Sequence, residues 1–188
     1  MFSVQPTNLP GVMVVSTTWH GDDRGSFSET YQHERFVQAG IDVSFIQDNH
    51  ASSRRAGTLR GLHFQKPPAA QSKLVRVTRG AIFDVAVDIR PGSPTYGRWA
   101  GFTLSADNRL QLFIPAGFAH GYLTLKDQSD VLYKVDAPYD PATEGGVLWN
   151  DPAIGIAWPD LGAPPVIAPR DAALPRLGDL PPIEDWRR

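Results

Sequence analysis

Apolar and polar side chains alternate most regularly over residues 81–89, where Phe83, Val85, Val87 and Ile89 fall on one face and Asp84, Ala86, Asp88 and Arg90 on the other. A period of two is the signature of a β-strand with one packed face. The carboxylates of the second face are either solvated or line the interior of a closed barrel, and the alternation fits both. Similar short runs predict further strands over 11–17, 45–50, 58–64, 73–78, 98–104, 110–114, 120–125, 131–135 and 147–149. Only one stretch reads as a helix, 31–39, with Gly40 placed to stop it. After Trp158 the chain is rich in proline, which predicts irregular coil with at most a short helical turn.

About ten short strands imply an all-β sandwich or barrel with one or two short peripheral helices. Seventeen glycines and seventeen prolines are spread through the chain as turn punctuation and mark no linker. With 188 residues, one domain spanning 1–188 is expected, its segment 160–188 largely irregular and packed on the barrel. A net charge of −2 with interspersed signs argues against nucleic acid as a partner. The absence of cysteine excludes disulfides, thiol catalysis and thiolate metal sites. No run approaches a membrane-spanning length, and residues 1–6 lack a basic region followed by an apolar stretch, so no membrane association and a cytoplasmic location are expected.

Candidate chemistry centres on Arg60-Gly61-Leu62-His63-Phe64-Gln65, with Lys73 ten positions beyond the histidine. An imidazole can take or give a proton near neutral pH, whereas Arg and Lys hold anions or developing negative charge. The combination suits carbanion chemistry on an anionic substrate, although the same residues also fit an ordinary strand histidine between solvated charges. A second segment, Pro115-Ala116-Gly117-Phe118-Ala119-His120, reads as a tight turn that delivers His120 to a strand start. This Pro-x-Gly-x-x-His pattern resembles the second motif of the cupin superfamily of small jelly-roll β-barrels. Many cupins bind a metal through a His-x-His pair; here the first motif is His63-Phe64-Gln65, and the chain has five histidines, His20, His33, His50, His63 and His120. No metal is expected.

A longer set of strings resembles one cupin family closely: Gln47-Asp48-Asn49-His50, Leu59 to Gln65, Lys73-Leu74-Val75-Arg76-Val77, Phe83 to Arg90, Gly117-Phe118-Ala119-His120-Gly121, Tyr133-Lys134 and Trp149-Asn150-Asp151-Pro152. In order and spacing, from about Asp22 to Asp171, they are similar to the dTDP-4-dehydrorhamnose 3,5-epimerase family. The resemblance implies a homodimeric cupin-type jelly-roll barrel that inverts C3 and C5 of dTDP-4-dehydro-6-deoxy-D-glucose without metal or organic cofactor. It implies His63 as base, Asp171 as its carboxylate partner, Lys73 beside the C4 oxygen and Tyr133 as the acid on the other face. It further implies diphosphate contacts from Arg24 and Arg60, thymine-side contacts from Phe27, Glu29 and a stacking Tyr139, polar contacts from Gln47 and Asn49, and substrate contacts from His120, Glu144 and Arg170.

The match loosens in two places. Val135-Asp136-Ala137-Pro138-Tyr139 stands where the family commonly has Thr-Asp-Tyr-Tyr, and Gly145 follows Glu144 where an arginine is usual. These departures touch nucleotide preference more than the chemistry. The expected function is therefore the 3,5-epimerase; the alternatives are a single-centre epimerase of another dTDP-4-ketosugar and a non-catalytic nucleotide-sugar-binding cupin.

Overall fold

The computed structural model describes residues 1–183 and 186; the rest of the predicted irregular tail lies outside the described residues. In chain order the strands are β1 (Ser3–Pro6), β2 (Met13–Ser16), β3 (His20–Asp22), β4 (Gly25–Phe27), β5 (Gln47–Ser53), β6 (Thr58–Gln65), β7 (Lys73–Arg79), β8 (Ala81–Asp88), β9 (Trp99–Ser105), β10 (Gln111–Ile114), β11 (Phe118–Thr124), β12 (Ser129–Val135), β13 (Glu144–Gly146) and β14 (Val166–Ile167). Two short helices, α1 (His33–Gln38) and α2 (Pro169–Ala172), and a 3-10 turn over Leu177–Asp179 complete the elements. One sheet runs β1-β2-β10-β7-β12-β5 and the other β13-β6-β11-β8-β9, with β14 added parallel to β6. The order is that of a jelly roll: neighbours in each sheet are mostly distant in sequence, and the two sheets face each other.

Between the sheets lies a core of Val75, Val77, Leu112 and Val131 from the first and Ile82, Ala86, Ala100 and Leu104 from the second. The alternation of β8 therefore resolves in an unexpected way, because both of its faces are covered. Ile82 and Ala86 look into the barrel, while Val85, Val87 and Ile89 look outward and pack with Val147, Ile154, Leu177 and Ile183. The proline-rich C-terminal segment is thus the cover of an outer sheet face. Each fully buried Val there contributes roughly 1.5–3 kcal/mol, enough to hold an irregular chain that has little secondary structure of its own.

The helix 31–39 is observed as α1, with the Gln32 side chain accepting a hydrogen bond from the Arg35 amide at 2.6 Å and Gly40 at φ +90° beyond its end. Phe36 of this helix packs with Val15, Ile41, Leu74 and Phe113 on the outside of the first sheet. The strand predicted over 147–149 lies three residues earlier, at β13, with only Val147 still bonded to Leu62 through both backbone groups. Gly145 and Gly146 read as punctuation in the sequence. They are strand residues that let other side chains approach: a Cβ on Gly145 would lie 2.5 Å from the Phe64 ring, and one on Gly146 would lie 2.6 Å from Leu174. The β3–β4 hairpin has no apolar face for a pattern to reveal, since all six of its residues are exposed.

Candidate active site

The two sheets supply different chemistry to one cavity of about 560 Å³. From β6 and β11 come Arg60, His63, His120 and Tyr122; from β7 and β12, across the barrel, come Lys73 and Tyr133; Arg170 and Asp171 close it from α2. His63 and His120 are direct cross-strand partners, which is why two motifs separated by more than fifty residues meet. Their approach depends on Gly61 and Gly121. Gly61 has φ +111°, and a Cβ there would lie 2.6 Å from the Gly121 Cα and 2.7 Å from the His120 carbonyl oxygen. No residue with a side chain fits that crossing.

His63 Nε2 meets Asp171 Oδ1 at 2.9 Å, and the Gly61 amide donates to Asp171 Oδ2 at 3.1 Å. The carboxylate is delivered by the return of the chain. Val166–Ile167 pairs with Thr58–Leu59, Pro169 opens the single turn of α2, and Asp171 is buried within that turn. Burial pushes the Asp171 carboxyl up, but the Gly61 amide, His63 and Arg170 outweigh it and hold it below the usual carboxylate range. Because Nε2 faces a carboxylate, that nitrogen carries the proton, and Nδ1 is left with the lone pair that can accept another. Burial lowers the proton affinity of His63 below the ordinary histidine value, with Asp171 opposing and Lys73 and Arg170 adding to the fall.

Lys73 is buried, with Nζ 3.5 Å from the His63 carbonyl oxygen. Loss of solvent brings its pKa down to about 8, with Asp84 and Glu144 working in the opposite direction. Burial pushes the Tyr133 phenol up, countered by the Arg60 guanidinium. Arg60 is itself held by the Ser52 carbonyl at 3.2 Å and Ser53 Oγ at 3.4 Å. A cation beside a phenol is what a tyrosine needs in order to release its proton.

Two residues that the sequence reading did not select belong here. Asp84 stands behind His120, Oδ1 to Nε2 at 2.7 Å, and is wholly buried. Tyr122 lines the cavity beside Arg60's strand, its phenol pushed up to about 12 by burial first and then by Asp84 and Tyr133. Signals for both existed: Asp84 lies on the polar face of the most regular alternation in the chain, and Tyr122 is two residues from His120 on the same strand.

The remaining candidates are not gathered around this cavity. Glu144 and Tyr139 are linked to it through Arg170: the guanidinium holds Glu144, and the Tyr139 hydroxyl donates to Glu144 Oε2 at 3.0 Å. Gln47 and Asn49 bond to each other at 2.9 Å on edge strand β5, where Asn49 pairs with Tyr133. Arg24 and Phe27 sit on the β3–β4 hairpin beside a separate cleft, and Phe27 is 72 % exposed. Glu29 is engaged by Arg35 at 3.0 Å. Among the described residues no three His, Asp or Glu side chains converge in a cluster able to hold a metal.

Fold and cavity together define a cupin-type jelly-roll protein equipped for proton chemistry, with a histidine on one sheet paired to a carboxylate from α2 and a lysine and a tyrosine on the other sheet. The chain belongs to the dTDP-4-dehydrorhamnose 3,5-epimerase family, whose model matches residues 6–179. It is 49 % identical over 178 residues to the dTDP-4-dehydrorhamnose 3,5-epimerase of Salmonella typhimurium, covering 94 % of this chain and 96 % of that one. Among solved structures, the Bacillus anthracis enzyme of that name, with TDP and PPi bound, superposes with a TM-score of 0.90 at 46 % identity, covering 94 % of this chain and 99 % of the other. The dTDP-6-deoxy-D-glucose-3,5-epimerase of Legionella pneumophila, in complex with dTDP-4-keto-L-rhamnose, gives 0.91 at 41 % identity, covering 96 % and 95 %.

Proposed function

We propose that this protein is a dTDP-4-dehydrorhamnose 3,5-epimerase that inverts C3 and C5 of dTDP-4-dehydro-6-deoxy-D-glucose, using His63, Asp171, Lys73 and Tyr133. The observation that carries the reading is the opposition of His63 and Tyr133, which line one cavity from facing sheets. Inversion requires removal of a proton from one face of a carbon and its return to the other. His63 Nδ1 takes the proton from the carbon beside the C4 ketone, and the electron pair moves onto the C4 oxygen as an enolate. The Lys73 ammonium stabilises that oxygen in a site where solvent cannot screen it. Tyr133 then gives its phenolic proton to the opposite face, the phenolate being stabilised by Arg60; solvent returns a proton to Tyr133 and takes the one held by His63, which resets the pair for the second carbon. Asp171 keeps the imidazole in one tautomer and stabilises the imidazolium formed in the first step.

A homodimer is part of the same proposal. Arg24 and Phe27 match positions that contact the nucleotide, yet they lie on an exposed hairpin outside their own chain's cavity, a geometry suited to supplying a second copy. Light scattering tests the dimer. Mixing His63→Ala subunits with Arg24→Ala/Phe27→Ala subunits tests the exchange, since hybrids regain one intact site. A cytoplasmic location also belongs to this reading; among the described residues no helix is long and apolar enough to cross a membrane, and cell fractionation tests it.

The deciding experiment is proton NMR of the sugar nucleotide in D2O. Deuterium enters at both C3 and C5, and Tyr133→Phe retains exchange while losing the inverted product. Exchange at a single carbon would select a single-centre epimerase, and none at either would leave a binding protein.

A further inference from the structure

Arg170 stands between two carboxylates. Its guanidinium grips Glu144 with two nitrogens, Nη1 to Oε2 at 3.2 Å and Nη2 to Oε1 at 3.1 Å, while its Nε lies 3.7 Å from Asp171 Oδ1. That oxygen is the one that holds His63 Nε2 at 2.9 Å. One carboxylate oxygen therefore faces both a neutral imidazole N–H and a guanidinium, and at 3.7 Å the guanidinium is an ion-pair neighbour that makes no hydrogen bond. Arg170 and Asp171 are neighbours on the one turn of α2, and the 3.7 Å between Nε and Oδ1 leaves the guanidinium less than 1 Å from hydrogen-bond distance. What engages the guanidinium elsewhere is the two-point fork on Glu144, a geometry stronger and more directional than a single contact. Glu144 is fixed in turn by β13, opposite Gln65 and two residues along β6 from His63, and by the hydroxyl of Tyr139 at 3.0 Å.

We propose that Glu144 is a positioning residue for the His63–Asp171 pair: by holding Arg170 in a fork it keeps the guanidinium from closing to hydrogen-bond distance on Asp171 Oδ1, so that the hydrogen bond of that oxygen goes to the imidazole alone. The inference rests on the reading of His63 as the base. Remove Glu144 and Arg170 closes on Asp171, the imidazole loses its partner, and its affinity for a proton drops. The other groups that bear on His63 are Lys73, at its backbone carbonyl, and His120 with Asp84 behind it, across the strand pair; Arg60 lines the same cavity. Glu144 also acts on Lys73 through space, an influence present with and without Arg170, so comparing the two backgrounds isolates the guanidinium.

The test is an NMR titration of the His63 ring proton in ligand-free protein, assigned by its loss in His63→Ala, for the unmodified chain, Glu144→Ala, Arg170→Ala and the double variant. In the positioning account Glu144→Ala lowers the His63 midpoint by roughly half a unit or more, and the same substitution made on Arg170→Ala shifts it by less than half as much. Glu144→Gln, which preserves the side-chain shape should the alanine variant fail to fold, gives a shift of the same sign. Turnover follows: kcat at pH 7 falls roughly tenfold in Glu144→Ala and recovers in part when Arg170→Ala is added, whereas KM does not recover. Equal shifts in both backgrounds would make Glu144 a distant charge and overturn the proposal, as would an unmoved midpoint. A midpoint that moves as expected in a protein inactive on the sugar nucleotide would uphold the positioning role and remove the functional reading instead.

Discussion

Two of the barrel's histidine–carboxylate pairs, His63–Asp171 and His120–Asp84, stand side by side, built from the same chemical parts in different surroundings. In His63–Asp171 the imidazole keeps 29 % of its side chain exposed and its carboxylate comes from a segment more than a hundred residues away. In His120–Asp84 the exposures are 7 % and 0 %, and the two residues sit on adjacent strands, β11 and β8, in a continuous ladder. The first pair faces the cavity with a nitrogen to spare and is held by a short helix on the outside of the barrel. The second lies deeper in the wall of the same cavity, almost without exposure, where losing either partner strands a buried polar group. A base needs access to its substrate and a partner that can be tuned; a wall residue needs a partner that never leaves.

That contrast makes opposite demands on mutation. His63→Ala lowers kcat by roughly 10⁴-fold in the NMR assay while urea unfolding stays close to that of the unmodified chain. Asp171→Asn lowers kcat by roughly 10³-fold by disturbing the tautomer, again with a small change in stability, so these two variants mark the pair as chemical. Asp84→Ala behaves in the reverse manner: it costs about 3 kcal/mol of folding free energy, read from the urea midpoint, because His120 is left buried beside an empty space. If Asp84→Ala unfolded at the same urea concentration as the parent, the distinction between the two pairs would collapse.

The smallest effect is on pH dependence. In the proposed mechanism the base works when neutral, so kcat/KM is expected to rise with pH through the His63 pKa, which burial sets below 6.5. The proposed enolate stabiliser works when charged, so activity is expected to fall as pH passes the Lys73 value of about 8. Lys73→Arg, which keeps its charge across this range, moves the falling limb to higher pH at some cost in kcat.

Much of this was legible in one dimension. Strands β5 to β12 all announce themselves by alternation and turn residues, and His63, His120, Lys73 and Tyr133 lie on four of them, so their placement in one barrel follows once the strands are right. The places that misled are those where local pattern and tertiary role part company. Gly145 and Gly146 look like a turn but are strand residues under Phe64 and Leu174. The hairpin carrying Arg24 and Phe27 has no buried face in its own chain, so it has neither strand periodicity nor a packing partner to reveal it. Asp84 was visible as a polar residue on an alternating strand, but nothing in the string of letters distinguishes a carboxylate facing water from one bonded to a histidine inside a wall.

By itself the sequence determined the alternating strands β2 and β5 to β12, the helix α1 and its glycine stop, and the residue types able to perform proton chemistry, because these depend on contacts within a few positions along the chain. Tertiary structure alone decided which face of β8 looks inward: the face that carries Asp84 lines the interior, and the more apolar face of Val85, Val87 and Ile89 looks outward because the C-terminal segment covers it. It also decided that Asp171 meets His63 and that Arg170 is drawn away toward Glu144. Those contacts join residues far apart in the chain, and their distances follow from closing two sheets around a common core, which local preferences do not encode.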